Sequence, residues 1–176
     1  MPLKQTFGFL GAGRMATALA GGMVESGLVK GRQLVASDVV SKTLKAFTNA
    51  TGGKAIKTNI EVLRKADVVI IAVKPHQITN LLSDLAPEAK SHHLFISIAA
   101  GVTLEQLEES LGGKVRVIRV MPNTPALVGE GAAGFARGTH AKVADANLTQ
   151  QILEAVGVAV EVPERLINAV TGLSGS

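Results

Sequence analysis

The sequence predicts an α/β fold: a doubly wound, mostly parallel sheet with helices on both faces. Three observations carry this. Short apolar runs alternate with helical patterns from one end of the 176 residues to the other. One run, Val68 to Val73, is continuously apolar and rich in β-branched residues, which is how a strand covered on both faces reads. The 19 glycines fall largely at the junctions between runs, where strands must turn into helices.

In order, Thr6 to Leu10 reads as a short strand, followed by a glycine turn and a helix from Arg14 to Ser26 that Gly27 ends. Leu34 to Ser37 is the second strand, and Lys42 to Thr51 the second helix, stopped by Gly52-Gly53. A short piece at Ala55-Ile56 precedes a helical turn to Arg64, for which Asn59 is the expected N-cap. After Val68 to Val73 come a helix over Gln77 to Leu85, a strand over Leu94 to Ala99, and a helix over Thr103 to Leu111. Thr103 and Gln106 stand at capping-box spacing there. Val115 to Val120 alternates as a strand, and the proline-rich Met121 to Pro125 leads to a further strand at Gly131 to Phe135. Ala141 to Val156 is a long amphipathic helix and Val158 to Val162 a strand. Pro163 opens a last helix toward Val170, where the glycines after Thr171 are expected to break it.

Composition narrows the function. The chain is 47% hydrophobic and 18% charged, with a net charge of +4 and no cysteine, tryptophan or tyrosine. Thiolate chemistry and disulfides are excluded, and a reducing cytoplasm is the expected setting. The basic residues are scattered and stacking aromatics are few, so no nucleic-acid partner is expected. No apolar run approaches a membrane span.

The strongest local signal is Gly11-Ala12-Gly13-Arg14-Met15-Ala16, a G-x-G-x-x-A pattern directly after the strand ending at Leu10 and opening a helix. Gly11 permits the tight turn, Gly13 leaves room for a pyrophosphate, and Ala16 keeps helix and strand close. The amides of the helix N-terminus then face the phosphates. In this context the pattern marks a Rossmann-like dinucleotide-binding domain. Asp38 stands at the end of the second strand, 25 positions after Gly13 and near the interval of roughly 20 residues at which an acidic group binds the ribose hydroxyls of NADH. Ser37, Arg14 and Lys42 could instead surround the 2′-phosphate of NADPH, with Asp38 capping the next helix, so both cofactors stay open.

Other chemistry is sparse. His76, His92, His93 and His140 lack metal-ligand spacing, and no metal is expected. The pair His92-His93 reads as a solvated turn. No histidine is placed to activate Ser174.

Four further segments carry a resemblance. They are Ala72-Val73-Lys74-Pro75; Ser97-Ile98-Ala99-Ala100-Gly101-Val102; Arg119-Val120-Met121-Pro122-Asn123-Thr124-Pro125 with Gly129-Glu130-Gly131; and Ala169-Val170-Thr171-Gly172-Leu173-Ser174-Gly175-Ser176. With the Gly11 turn they resemble pyrroline-5-carboxylate reductase, in the same order and across essentially the whole chain. The resemblance implies that Ala72, Val73, Lys74, Pro75, Ala100 and Gly101 border the nicotinamide half of the cofactor and Asn59 its adenosine side. By the same likeness, Asn123, Thr124 and Glu164 are substrate-side candidates. Bland readings stand beside these: a solvated strand-end lysine for Lys74, a rigid connector for Asn123-Thr124, and a first-turn glutamate for Glu164.

The activity implied is reduction of 1-pyrroline-5-carboxylate to L-proline with NADPH or NADH, in a homo-oligomeric enzyme. Residues 1–162 form the dinucleotide-binding domain, and residues 163–176 begin the family's all-helical dimerisation and substrate domain, otherwise absent here. This chain is therefore expected to supply cofactor binding, with little or no turnover alone. The alternatives are a non-catalytic nucleotide-binding module and a reductase of the β-hydroxyacid dehydrogenase type.

Overall fold

The four-residue strands at the centre of the chain are apolar on both sides, and the fold covers both sides. In the computed structural model, which describes residues 2–174 and side chains as far as residue 169, eight strands form one sheet. They are β1 (Phe7–Leu10), β2 (Leu34–Ser37), β3 (Lys54–Ala55), β4 (Val68–Ile71), β5 (Leu94–Ser97), β6 (Arg116–Pro122), β7 (Gly131–Arg137) and β8 (Gly157–Glu161). Their order is β3-β2-β1-β4-β5-β6-β7-β8. Strands β1 to β6 pair in parallel, β6 with β7 antiparallel, and β7 with β8 in parallel.

Helices α1 (Arg14–Glu25), α2 (Ser41–Thr51) and α6 (Val143–Glu154) cover one face. Helices α3 (Asn59–Lys65), α4 (Ile78–Leu85), α5 (Leu104–Leu111) and α7 (Glu164–Ser174) cover the other. Successive strand residues alternate between two cores: Phe7, Phe9, Val68 and Ile70 pack with α1 and α2, while Leu10, Val69 and Ile71 pack with α3 and α4. Phe9 meets Phe47 of α2 with ring centroids 5.2 Å apart, a contact that adds about 1 kcal/mol to burial alone. Among the described residues no helix is long and apolar enough to cross a membrane.

Several elements differ from the sequence expectation for identifiable reasons. The direction of β7 reverses because the connector from Asn123 to Glu130, mostly a 3-10 turn over Thr124–Val128, is too short for a parallel crossover. Helix α3 is capped by Thr58, not Asn59: Thr58 Oγ1 accepts from Glu61 N and Glu61 accepts from Thr58 N, both at 3.2 Å. Helix α7 runs through Gly172 to Ser174; one interior glycine weakens a helix by about 1 kcal/mol without ending it. Gly175 and Ser176 lie outside the described residues.

The histidine pair divides: His92 is exposed in a turn, as expected, and His93 is not. His93 is buried, its Nδ1 accepts from Lys90 N at 3.0 Å, and its ring stands edge-on to Phe95. Burial foremost, then the neighbouring His92 and Lys90, pushes its pKa down to about 4.

Candidate functional site

The chain passes from β1 to β2 on one side of the sheet and then crosses to β4 on the other, so the C-terminal ends of β1 and β4 are the topological switch point. The glycine turn sits there. Ala72 N donates to Leu10 O at 2.8 Å and Gly11 N to Ser37 O at 2.9 Å, tying the ends of β4, β1 and β2 together. Gly11 has φ +92°, and a Cβ on it would lie 2.8 Å from Ala72 O. Only glycine fits at this position.

Gly13 is a different case. Its backbone is ordinary, φ −66°, and a Cβ added to it would meet no protein atom within 4 Å. Nothing in the protein demands glycine there, and the space beside it is open. Gly13 is also the N-cap of α1, with no side-chain cap and no acidic residue in the first turn. The first main-chain bond of the helix runs from Thr17 N to Gly13 O at 2.9 Å, which leaves the amides of Arg14 to Ala16 ahead of the helical ladder. Helix α1 thus presents donors and its positive end, uncapped, at the rim. The residues fit a dinucleotide pyrophosphate.

Asp38 bonds to the main chain of two turns. One carboxylate oxygen accepts from Ala12 N at 2.7 Å and the other from Val40 N at 2.8 Å. It braces the phosphate turn and the entry to α2. Beside it Ser37, buried, donates from Oγ to Asn59 Oδ1 at 2.6 Å. Because Thr58 does the capping, Asn59 is free to make this bond. Ser37, Asp38 and Asn59 line one recess with Val39, Lys57 and Asp84. Arg14 and Lys42 line another recess with Gly13 and Thr17. Lys57 gave no sequence signal, being an isolated lysine before a helix.

Farther along the rim, Val73 lies against Gly11, with its Cγ1 3.2 Å from the position a Cβ would take there. Lys74 and Pro75 are exposed, and Lys74 N donates to Gln77 Oε1 at 3.2 Å, opening a short 3-10 turn. Pro75 and Gly101 line one cleft together, and Ala100 is exposed at the tip of the turn after β5. Met15, half-buried, lines an apolar pocket with Leu19, Ile98, Pro122 and Ala126.

The substrate-side candidates split. Thr124 is exposed. Asn123 is 8% exposed, and its Oδ1 accepts from Ala132 N at 2.9 Å, stapling the connector to β7. Glu164 accepts from Leu104 N at 2.7 Å and from Arg119 Nη1 at 3.0 Å. Arg119, which sequence reading did not single out, is buried in β6 and also donates to Asn168. Among the described residues no group of three or more histidines, cysteines or carboxylates could hold a metal ion.

Comparison with known proteins agrees with this geometry. Residues 6–101 match the family described as NADP oxidoreductase coenzyme F420-dependent. Pyrroline-5-carboxylate reductase 3 of Rattus norvegicus is 45% identical over 169 residues, 96% of this chain and 61% of that protein. The structure of a pyrroline-5-carboxylate reductase from Coxiella burnetii superposes with a TM-score of 0.94 at 32% identity, over 99% of this chain and 65% of that one. Pyrroline carboxylate reductase of Plasmodium falciparum, solved with NADP bound, gives a TM-score of 0.88 at 29% identity, over 99% and 63%. The chain spans less than two thirds of the length of each. It belongs to the family described as NADP oxidoreductase coenzyme F420-dependent, and along nearly its whole length it is similar to the pyrroline-5-carboxylate reductases.

Proposed function

We propose that this chain binds NADPH along the C-terminal rim of its sheet and forms the cofactor-holding part of a pyrroline-5-carboxylate reductase. The observation that carries this is Gly13: a glycine with unstrained backbone, no protein neighbour for a Cβ, and a helix N-terminus open beside it. The Plasmodium relative carries NADP, and the recess of Ser37, Asn59 and Lys57 suits a 2′-phosphate, with Asp38 turned inward to the turn.

When bound, the nicotinamide would supply a hydride to the imine carbon of 1-pyrroline-5-carboxylate protonated on nitrogen, so that the nitrogen keeps its proton and L-proline results. The chain's own residues orient and shelter. The Gly11 turn and first turn of α1 hold the phosphates, Ser37 and Asn59 set the adenosine half, and Val73 to Pro75 with Ala100 and Gly101 border the other end. Thr124 is the substrate-side candidate whose side chain is exposed on the connector. Asn123 and Glu164 are engaged in tying elements together. We place the activity in the cytoplasm, in keeping with a chain that has no cysteine, and in a homo-oligomer, as the sequence resemblance implies.

Fluorescence titration tests the reading. NADPH should bind saturably and raise the melting temperature, with little or no turnover of 1-pyrroline-5-carboxylate by these residues alone. If neither NADPH nor NADH binds at millimolar concentration, the proposal fails.

A further inference from the structure

Glu164 stands on the first turn of α7, yet its carboxylate is used by two other elements. One oxygen, Oε1, accepts from the amide of Leu104, the first residue of α5, at 2.7 Å, and from Arg119 Nη1 of β6 at 3.0 Å. Arg119 Nη2 donates in turn to Asn168 Oδ1, one turn along α7, at 2.9 Å. The Arg119 side chain is 4% exposed and that of Glu164 32%. A strand, a helix start and a helix N-terminus therefore meet on one carboxylate, and the buried guanidinium depends on it for its counter-charge.

Leu104 follows directly on the turn that leaves β5. That turn is fixed on its strand side by Ile98 N donating to Ile71 O at 3.1 Å, and it reverses at Gly101 with φ +75°. Within the turn, the Thr103 and Gln106 box is local, from Thr103 N to Gln106 Oε1 at 2.9 Å. Glu164 bonds its helix side to a distant element, sixty residues on.

We infer that Glu164 is a positioning residue: through Leu104 N it sets the Ala100-Gly101 turn against α7 and Arg119. The seating of α7 thereby determines how closely the turn approaches the nicotinamide end of a bound dinucleotide. This rests on the NADPH reading above. It makes Glu164 act through the main chain of α5 without touching substrate.

The test compares two ligands: NADPH, and adenosine 2′,5′-bisphosphate, which carries the 2′-phosphate and adenosine but no nicotinamide. Glu164→Ala and Glu164→Asp should each raise the Kd for NADPH by about fivefold, the loss of one hydrogen bond, while Kd for the bisphosphate stays unchanged. Glu164→Gln, whose amide oxygen still accepts from Leu104 N, should keep both Kd values even though its melting temperature falls. Should the alanine variant not fold, the aspartate variant decides. Parallel weakening of both ligands, or an unchanged NADPH affinity, overturns the positioning role. Failure of the parent chain to bind either ligand overturns the NADPH reading instead, and this inference with it.

Discussion

Asp38 holds Ala12: a carboxylate oxygen at the end of β2 accepts the amide of the middle residue of the phosphate turn at 2.7 Å, while its twin accepts from Val40 N. One side chain thus clips the β1–α1 turn to the β2–α2 turn. Asp38→Ala should lower stability by about 1–3 kcal/mol, since two amides lose a charged acceptor. It should weaken NADPH and NADH alike, because the shared turn loosens. Selective loss of NADH, measured by paired titrations, would show that the carboxylate reads the ribose diol after all.

The two glycines of the turn should separate cleanly. Gly11→Ala puts a Cβ at φ +92° and 2.8 Å from Ala72 O, and should destabilise by about 2–3 kcal/mol. Gly13→Ala has an ordinary φ of −66° and open space, so it should lower stability by less than about 1 kcal/mol. Its methyl would occupy the phosphate position, and NADPH affinity should fall at least about tenfold, or 1.4 kcal/mol. Urea denaturation beside binding reads both quantities. A Gly13→Ala protein that binds as the parent does would remove the main support for the dinucleotide site.

Lys57 shares the recess of Ser37 and Asn59 and has no ion pair among the described residues. Lys57→Ala should weaken NADPH by roughly fivefold, on the order of 1 kcal/mol for a solvent-screened charge pair. NADH should be unaffected, and the difference should shrink as salt is raised. An equal effect on both cofactors would mean that Lys57 faces away from the 2′-phosphate.

What could be read from the chain, and what could not, follows the range of each interaction. The β-branched run Val68 to Val73 and the Gly11 turn are local signals; the turn lies where the sequence places it, and the strand starts at Val68 as expected but ends at Ile71. The cap of α3 is also local, but its signal is Glu61: paired with Thr58 it closes a capping box, whereas Asn59 has Val62 at that spacing. Asp38 stands at the expected strand end, yet which amides it meets depends on two turns packing together. Glu164, Arg119 and Leu104 come from three elements far apart in the chain, so no spacing reveals their junction. His93 escapes a sequence reading because adjacent histidines look polar; its burial is set by its position between the α3–β4 region and Phe95, not by its neighbours in sequence.

That burial makes His93 a source of pH dependence. Its Nδ1 accepts from Lys90 N and therefore must be unprotonated. The folded-state pKa is lowered from 6.5 to about 4. Between those values the unfolded chain binds the proton and the folded chain does not, so stability rises with pH across this window. The contribution is complete above about pH 6.5 and is lost as pH falls toward 4, at about 3 kcal/mol in the limit. His93→Asn keeps an acceptor near the Lys90 amide but cannot titrate. Urea midpoints at pH 7.5 and pH 5 should therefore diverge less for the variant than for the parent. Carboxylates titrating at the acid end act on both proteins, so the double difference isolates His93. An identical pH slope in the two would mean that His93 protonates in the folded state without penalty.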